Sequence, residues 1–197
     1  MVADGADTSI ACGTDVSLDD IFDEGGKVSF TMNPKSDGEG SSGNIFYKRN
    51  GSNGWIVFVN NESTGFMKVS LRVEFSSALA EWRTTNTVIP IDELSDVSIT
   101  YNSDSIDNDP IFVINGIKYT VGNGLDEVTT PVGTRVTDTT KQLSIGNFAV
   151  TPNQTFDGLI DNPKISDTSR PSSEAITSYN AEKSDSDTIT TGTEVTQ

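Results

Sequence analysis

The plainest pattern in the chain runs over residues 66–75, where Met67, Val69, Leu71, Val73 and Phe75 alternate with Lys68, Ser70, Arg72 and Glu74. A period of two sends successive side chains to opposite faces of a strand, so this segment predicts one face on a core and one in water. Residues 27–32 repeat it with Val28, Phe30 and Met32 inward, and residues 97–101 do so with Val97, Ile99 and Tyr101. The run Trp55-Ile56-Val57-Phe58-Val59 is apolar throughout, which predicts a central strand covered on both faces. In 111–121 two β-rich runs flank Asn115-Gly116, a pair that tolerates the positive φ angles of a type I′ hairpin. Residues 143–150 and 156–165 add two strands on either side of Thr151-Pro152-Asn153, a turn signal.

Helical spacing occurs once, over 172–181, where Ala175, Ile176 and Tyr179 follow Pro171, a residue favoured in a first helical turn. Beyond it the chain has little to bury. The reading is one all-β domain over 1–181, a two-sheet antiparallel sandwich with one short C-terminal helix, and a polar acidic tail over 182–197. Such a tail is disordered alone, and is expected to contact neighbouring subunits of a symmetric oligomer.

Charge and composition then remove whole classes of function. With 13 basic and 29 acidic residues the formal charge is −16, a field that repels nucleic acid and anionic membrane surfaces. Histidine is absent, which closes Ser-His-Asp catalysis and imidazole-based zinc sites. Cys12 is the only cysteine, so no intrachain disulfide forms, and a lone thiol among β-rich residues is expected to be a small buried hydrophobe. Neither a secretory signal nor a membrane-spanning apolar run is visible; outside the cell the chain would arrive by lysis of an infected host, the preferred reading, or as an already processed form.

Two places carry candidate chemistry. Asp104, Asp107, Asn108 and Asp109 offer hard oxygen ligands of the kind calcium takes, although without EF-hand spacing. The alternative, which is preferred, is a polar loop whose side chains satisfy local backbone groups before Pro110. Trp82 lies in a stretch that is neither cleanly alternating nor strongly polar; exposed, it would stack on a sugar ring, and buried, it would pack on the sheet, the preferred reading. Gly38, Gly40 and Gly43 lack the Lys-Ser/Thr of a phosphate loop and read as a flexible hairpin loop.

The order of elements resembles the concanavalin A-like, laminin G-like superfamily over roughly residues 8–180. The entry Ser17-Leu18-Asp19-Asp20-Ile21-Phe22 with Lys27-Val28-Ser29-Phe30-Thr31 is similar to that family's first long strand. Asp96-Val97-Ser98-Ile99-Thr100-Tyr101, Ile111-Phe112-Val113-Ile114-Asn115-Gly116 and Leu143-Ser144-Ile145-Gly146 resemble its successive strands. The closing pattern F-x-G-x-I-D-x-x-x-I is matched by Phe156, Gly158, Ile160, Asp161 and Ile165, and Arg170-Pro171-Ser172 resembles the start of its short helix. Leu94-Ser95 stands where the family often has Trp-His, and Asn115 where it has aspartate. The resemblance implies a jelly-roll lectin-like sandwich and keeps a rim calcium ion open. Glucan-hydrolysing relatives carry two glutamates around an aspartate on one strand, and no such pattern occurs here.

Two functions follow as expectations. The first is a non-enzymatic virion surface protein, a capsid decoration, head-fibre or tail-associated module that docks on other virion proteins or its own copies. The second is a free carbohydrate-binding lectin-like module, calcium-dependent or not. Fold alone does not choose between them.

Overall fold

The computed structural model describes residues 1–148 and 154–187. Its strands are β1 (Val2–Asp4), β2 (Ile10–Gly13), β3 (Gly26–Ser36), β4 (Ser42–Asn50), β5 (Asn53–Ser63), β6 (Phe66–Val73), β7 (Ala80–Thr84), β8 (Ile89–Pro90), β9 (Ser95–Tyr101), β10 (Ile111–Ile114), β11 (Ile117–Val121), β12 (Gly124–Thr129), β13 (Leu143–Ile145) and β14 (Asp157–Ser166), followed by helix α1 (Ser172–Asp187). They join in one path, β1-β14-β3-β9-β10-β11-β12-β7-β6-β5-β4-β13-β2, with β8 beside β6. Every pairing in that path is antiparallel except β11 with β12, a short parallel contact at Thr120↔Gly124 and Val121↔Leu125. The path folds over at that contact, and its two arms face each other.

Alternation explains why they do. Val28, Phe30 and Met32 of β3 and Val97, Ile99 and Tyr101 of β9 enter the same core as Trp55, Val57 and Val59 of β5 and Met67, Val69, Leu71 and Val73 of β6. Edge-to-face aromatic contacts tie the arms together, Phe30 to Phe46 at 5.6 Å and Phe22 to Trp55 at 5.2 Å between ring centroids. The five residues 55–59 are all buried, as a central strand between β4 and β6 requires. Asn115 and Gly116 take φ of 49° and 75° at the β10–β11 turn, the left-handed pair that a type I′ hairpin needs.

Several expectations are corrected. Cys12 is exposed, because β2 closes the path as an edge strand paired only with β13 and its four residues have no sheet beyond them. The glycine-bearing stretch after residue 37 is not a free loop: it makes a short 3-10 turn at Glu39–Ser41, and Gly43 lies inside β4. The helix runs to Asp187, past residue 181, since nothing in 182–187 breaks it. The turn at 151–153 and residues 188–197 lie outside the described residues. The outward face of β6 is not fully wet either, for Ser70 on it and Glu74 just past its end are buried.

One polar cluster is sunk into the sandwich. The Lys48 ammonium, on a side chain with 0% exposure, meets Asp19 at 2.8 Å and Asp138 at 3.0 Å and donates to the carbonyls of Asp138 and Lys141. Asp20 and Asp138 clasp each other, the backbone N–H of each donating to the other's carboxylate at 2.8 and 2.9 Å. Arg135 and Thr137 also donate to Asp20.

Burial pushes both carboxyls up. For Asp20 the N–H of Asp138, the Thr137 hydroxyl and the charges of Arg135 and Lys48 outweigh it and hold the group below its ordinary 3.8. For Asp138 burial prevails over the Asp20 N–H and Lys48, and the group stays raised. A depressed carboxyl contributes stability above its unfolded pKa and loses it as pH falls through the folded value. Asp20→Asn, which keeps the shape and tolerates the φ of 52°, therefore loses on the order of 1–2 kcal/mol near pH 7. In urea melts its deficit against the wild type narrows as pH is lowered through 3.8.

Candidate functional site

Register across the second arm gathers outward side chains into rows. One row crosses β13, β4, β5, β6 and β7 as Ser144, Tyr47, Ile56, Arg72 and Glu81. The next crosses β4, β5, β6, β7 and β12 as Asn44, Phe58, Ser70, Arg83 and Asp126. Arg49 and Glu74 flank the first row and Lys68 the second. Cross-strand neighbours of opposite charge and of apolar character stabilise such a face, and here they also fix its chemistry.

Glu81 is the hub. Its Oε2 accepts from Arg72 Nε at 3.1 Å and Nη2 at 2.5 Å, while its Oε1 is paired with Arg83. Arg83 Nε also donates to Ser70 Oγ at 3.1 Å, and the Arg72 guanidinium lies over the Phe58 ring at 5.2 Å. Arg49 pairs with Glu74 at 2.5 Å in the same manner. The depths differ by charge: the side chains of Glu74 and Glu81 are 5% exposed, those of Arg49, Arg72 and Arg83 between 23% and 31%. The carboxylates lie under the guanidiniums, so an approaching molecule meets N–H donors first. Beside them the rings of Tyr47 and Phe148 stack at 4.6 Å, half-buried. A chain with a net charge of −16 thus presents four basic groups, Arg49, Lys68, Arg72 and Arg83, on one sheet face.

The sites expected from sequence fall elsewhere. Trp82 is 0% exposed, points into the core against Tyr101 at 4.9 Å and donates from Nε1 to Asp109 Oδ1 at 2.9 Å. It is unavailable for stacking on a sugar, because it alternates with Glu81 and Arg83 and takes the inner side of β7. The four loop residues do not converge on a cation position. Asp109 receives the Trp82 indole, Asp104 receives the Glu24 N–H at 2.8 Å, Asn108 donates to Asn102, and the Asp107 N–H donates to Ser105. Among the described residues no group of three or more His, Cys, Asp or Glu is placed to hold a metal ion. Arg83, Glu81, Tyr47 and Phe58 escape the sequence reading. Their one signal is that Trp82 sits between two charged residues, as on a half-buried strand.

No family model and no curated protein matches the chain. Solved structures do. The native heptameric SAP-like pentraxin from Limulus polyphemus is 16% identical, with a TM-score of 0.57 over 79% of this chain and 70% of that one. The CBM40 of the Ruminococcus gnavus IT-sialidase, bound to α2,3-sialyllactose, is 12% identical, with a TM-score of 0.60 over 91% of this chain and 97% of that one. The binding domain of botulinum neurotoxin DC in complex with SialylT is 13% identical, with a TM-score of 0.53 over 82% of this chain and 36% of that one. At these identities the likeness establishes the fold alone, an antiparallel jelly-roll β-sandwich.

Proposed function

We propose that this protein is a lectin-like module that binds an acidic glycan, without catalysis, on the outward face of β5, β6 and β7. The observation that carries the reading is the layering of the half-buried Arg72 and Arg83 guanidiniums over the more deeply sunken Glu81 carboxylate. Guanidinium edges match a sugar carboxylate in bidentate geometry, and the adjacent Tyr47 ring offers an apolar surface to a pyranose. Two of the similar folds are seen in complex with α2,3-sialyllactose and with SialylT, which supports a sialic-acid type of sugar for this face. Glycoside hydrolysis needs one carboxyl as acid and a second as base or nucleophile. Here Glu74 and Glu81 are each bonded to arginine, which favours binding over turnover. A virion surface is one setting for such a module, in which the same face would meet host glycan.

Titration of the intact protein with 3′-sialyllactose and with lactose, followed by calorimetry, tests this. Binding is expected for the sialylated sugar alone, and Arg83→Ala is expected to weaken it about tenfold or more, roughly 1.4 kcal/mol or above. Circular dichroism checks that the variant keeps its fold. Equal affinity for lactose, no binding of either sugar, or an unchanged Arg83→Ala affinity overturns the proposal.

A further inference from the structure

The opposite arm carries a second constellation. Helix α1 rests across β9, β10 and β11, with the Tyr179 ring seated on Gly116, where an added Cβ would stand 2.6 Å from Tyr179 Cδ1. Between the helix and strands β3 and β14 this leaves a groove of about 570 Å³, a size that suits a small ligand. Its floor is a registered row, Lys164 on β14, Ser29 on β3, Ser98 on β9 and Val113 on β10. Lys27 lies diagonal to Lys164 on the same face, since it pairs with Ser166.

The pairing of these groups is unusual for this chain. Like charges on adjacent strand positions destabilise a sheet, and 29 acidic residues are available to answer them. Yet among the described residues neither Lys27 nor Lys164 has an ion-pair or hydrogen-bond partner, and neither has the hydroxyl of Ser29 or Ser98. The acids of the groove are mostly spoken for. Asp96 accepts from Thr31 Oγ1 at 2.5 Å, Glu174 is paired with Arg170 at 2.8 Å, and Glu182 stands at the exposed outer lip.

We infer that this groove is a second binding site, distinct from the arginine face, for a small polyhydroxylated anion: a sugar bearing a carboxylate or a phosphate. Its acidic group would bridge the two ammonium groups, and its hydroxyls would meet Ser29 and Ser98. The Val113 side chain gives the ring an apolar floor. This inference stands whether or not the arginine face binds glycan.

The test is a ¹⁵N NMR titration of the intact protein with glucuronate, glucose 6-phosphate and glucose. At least one of the two acids is expected to shift amides of β3, β9 and β14 with saturation, glucose is not, and the stronger acid identifies the anionic group. A Lys27→Ala, Lys164→Ala double variant with an unchanged melting temperature should lose about tenfold or more in affinity, whereas Arg83→Ala should leave this binding intact. Shifts confined to β5–β7, an equal response to glucose, or no response to either acid overturns the inference. So does an unchanged affinity of the double variant.

Discussion

Lys48→Ala lowers the stability of the sandwich by about 3–5 kcal/mol, because it removes one partner from a buried ion cluster and leaves Asp19 and Asp138 facing a dry hole. The ammonium satisfies two carboxylates and two backbone carbonyls, and the Asp138 carboxylate left behind is on a side chain only 1% exposed. For a domain of this length each kcal/mol moves the melting temperature by roughly 2–4 °C, so scanning calorimetry resolves the loss easily. A second variant separates charge from packing. Lys48→Ala combined with Asp138→Asn removes the unanswered carboxylate and should recover part of the deficit. A single variant within 1 kcal/mol of the wild type, on the order of an exposed pair, would mean that the cluster is solvated.

Trp82→Ala is expected to cost about as much, roughly 3–5 kcal/mol, by opening a cavity in the core. The ring meets Tyr101 on one side and anchors Asp109 by its N–H, so its loss also frees the loop between β9 and β10. Trp82→Phe divides these contributions: a six-membered ring remains while the N–H donor goes, and because Asp109 is exposed and can turn to water the cost of the lost hydrogen bond itself is about 1 kcal/mol. Urea melts of the two variants measure the split. Sialyllactose affinity per remaining folded molecule should be unchanged in Trp82→Phe, because the indole lies on the inner side of β7; a selective loss of binding would place that side chain at the sugar.

Alternation is the strongest signal in the chain and locates β3, β6 and β9, whose inner faces are runs of large apolar residues, while the unbroken apolar run 55–59 locates β5. The β10–β11 hairpin was equally legible from Asn115-Gly116. What stayed hidden is physical rather than accidental. In β7 the small Ala80 and hydroxyl-bearing Thr84 flank Trp82 on the inner face, so the strand lacks the apolar weight that marks β6. Lys48 sits on the core side of β4 as a lysine, which breaks the period there. The arginine face was invisible for a related reason: it is assembled by register between strands, and register is not written in any one strand. Within its own strand Arg72 looks like half of a wet stripe, whereas its partners, Glu81 and Phe58, lie on β7 and β5.

The ends of the strand path have a consequence for how the chain is made. Both open borders of the sheet, β1 and β2, come from the first 13 residues, whereas the strands they flank, β14 and β13, lie more than a hundred residues later. During synthesis these two ribbons leave the ribosome before every other strand yet have nothing to pair with until nearly the whole domain has emerged. Closure of the sandwich is therefore a late, long-range step, slow by topology, and the nascent amino-terminal segment must wait unpaired while its destination is still being translated.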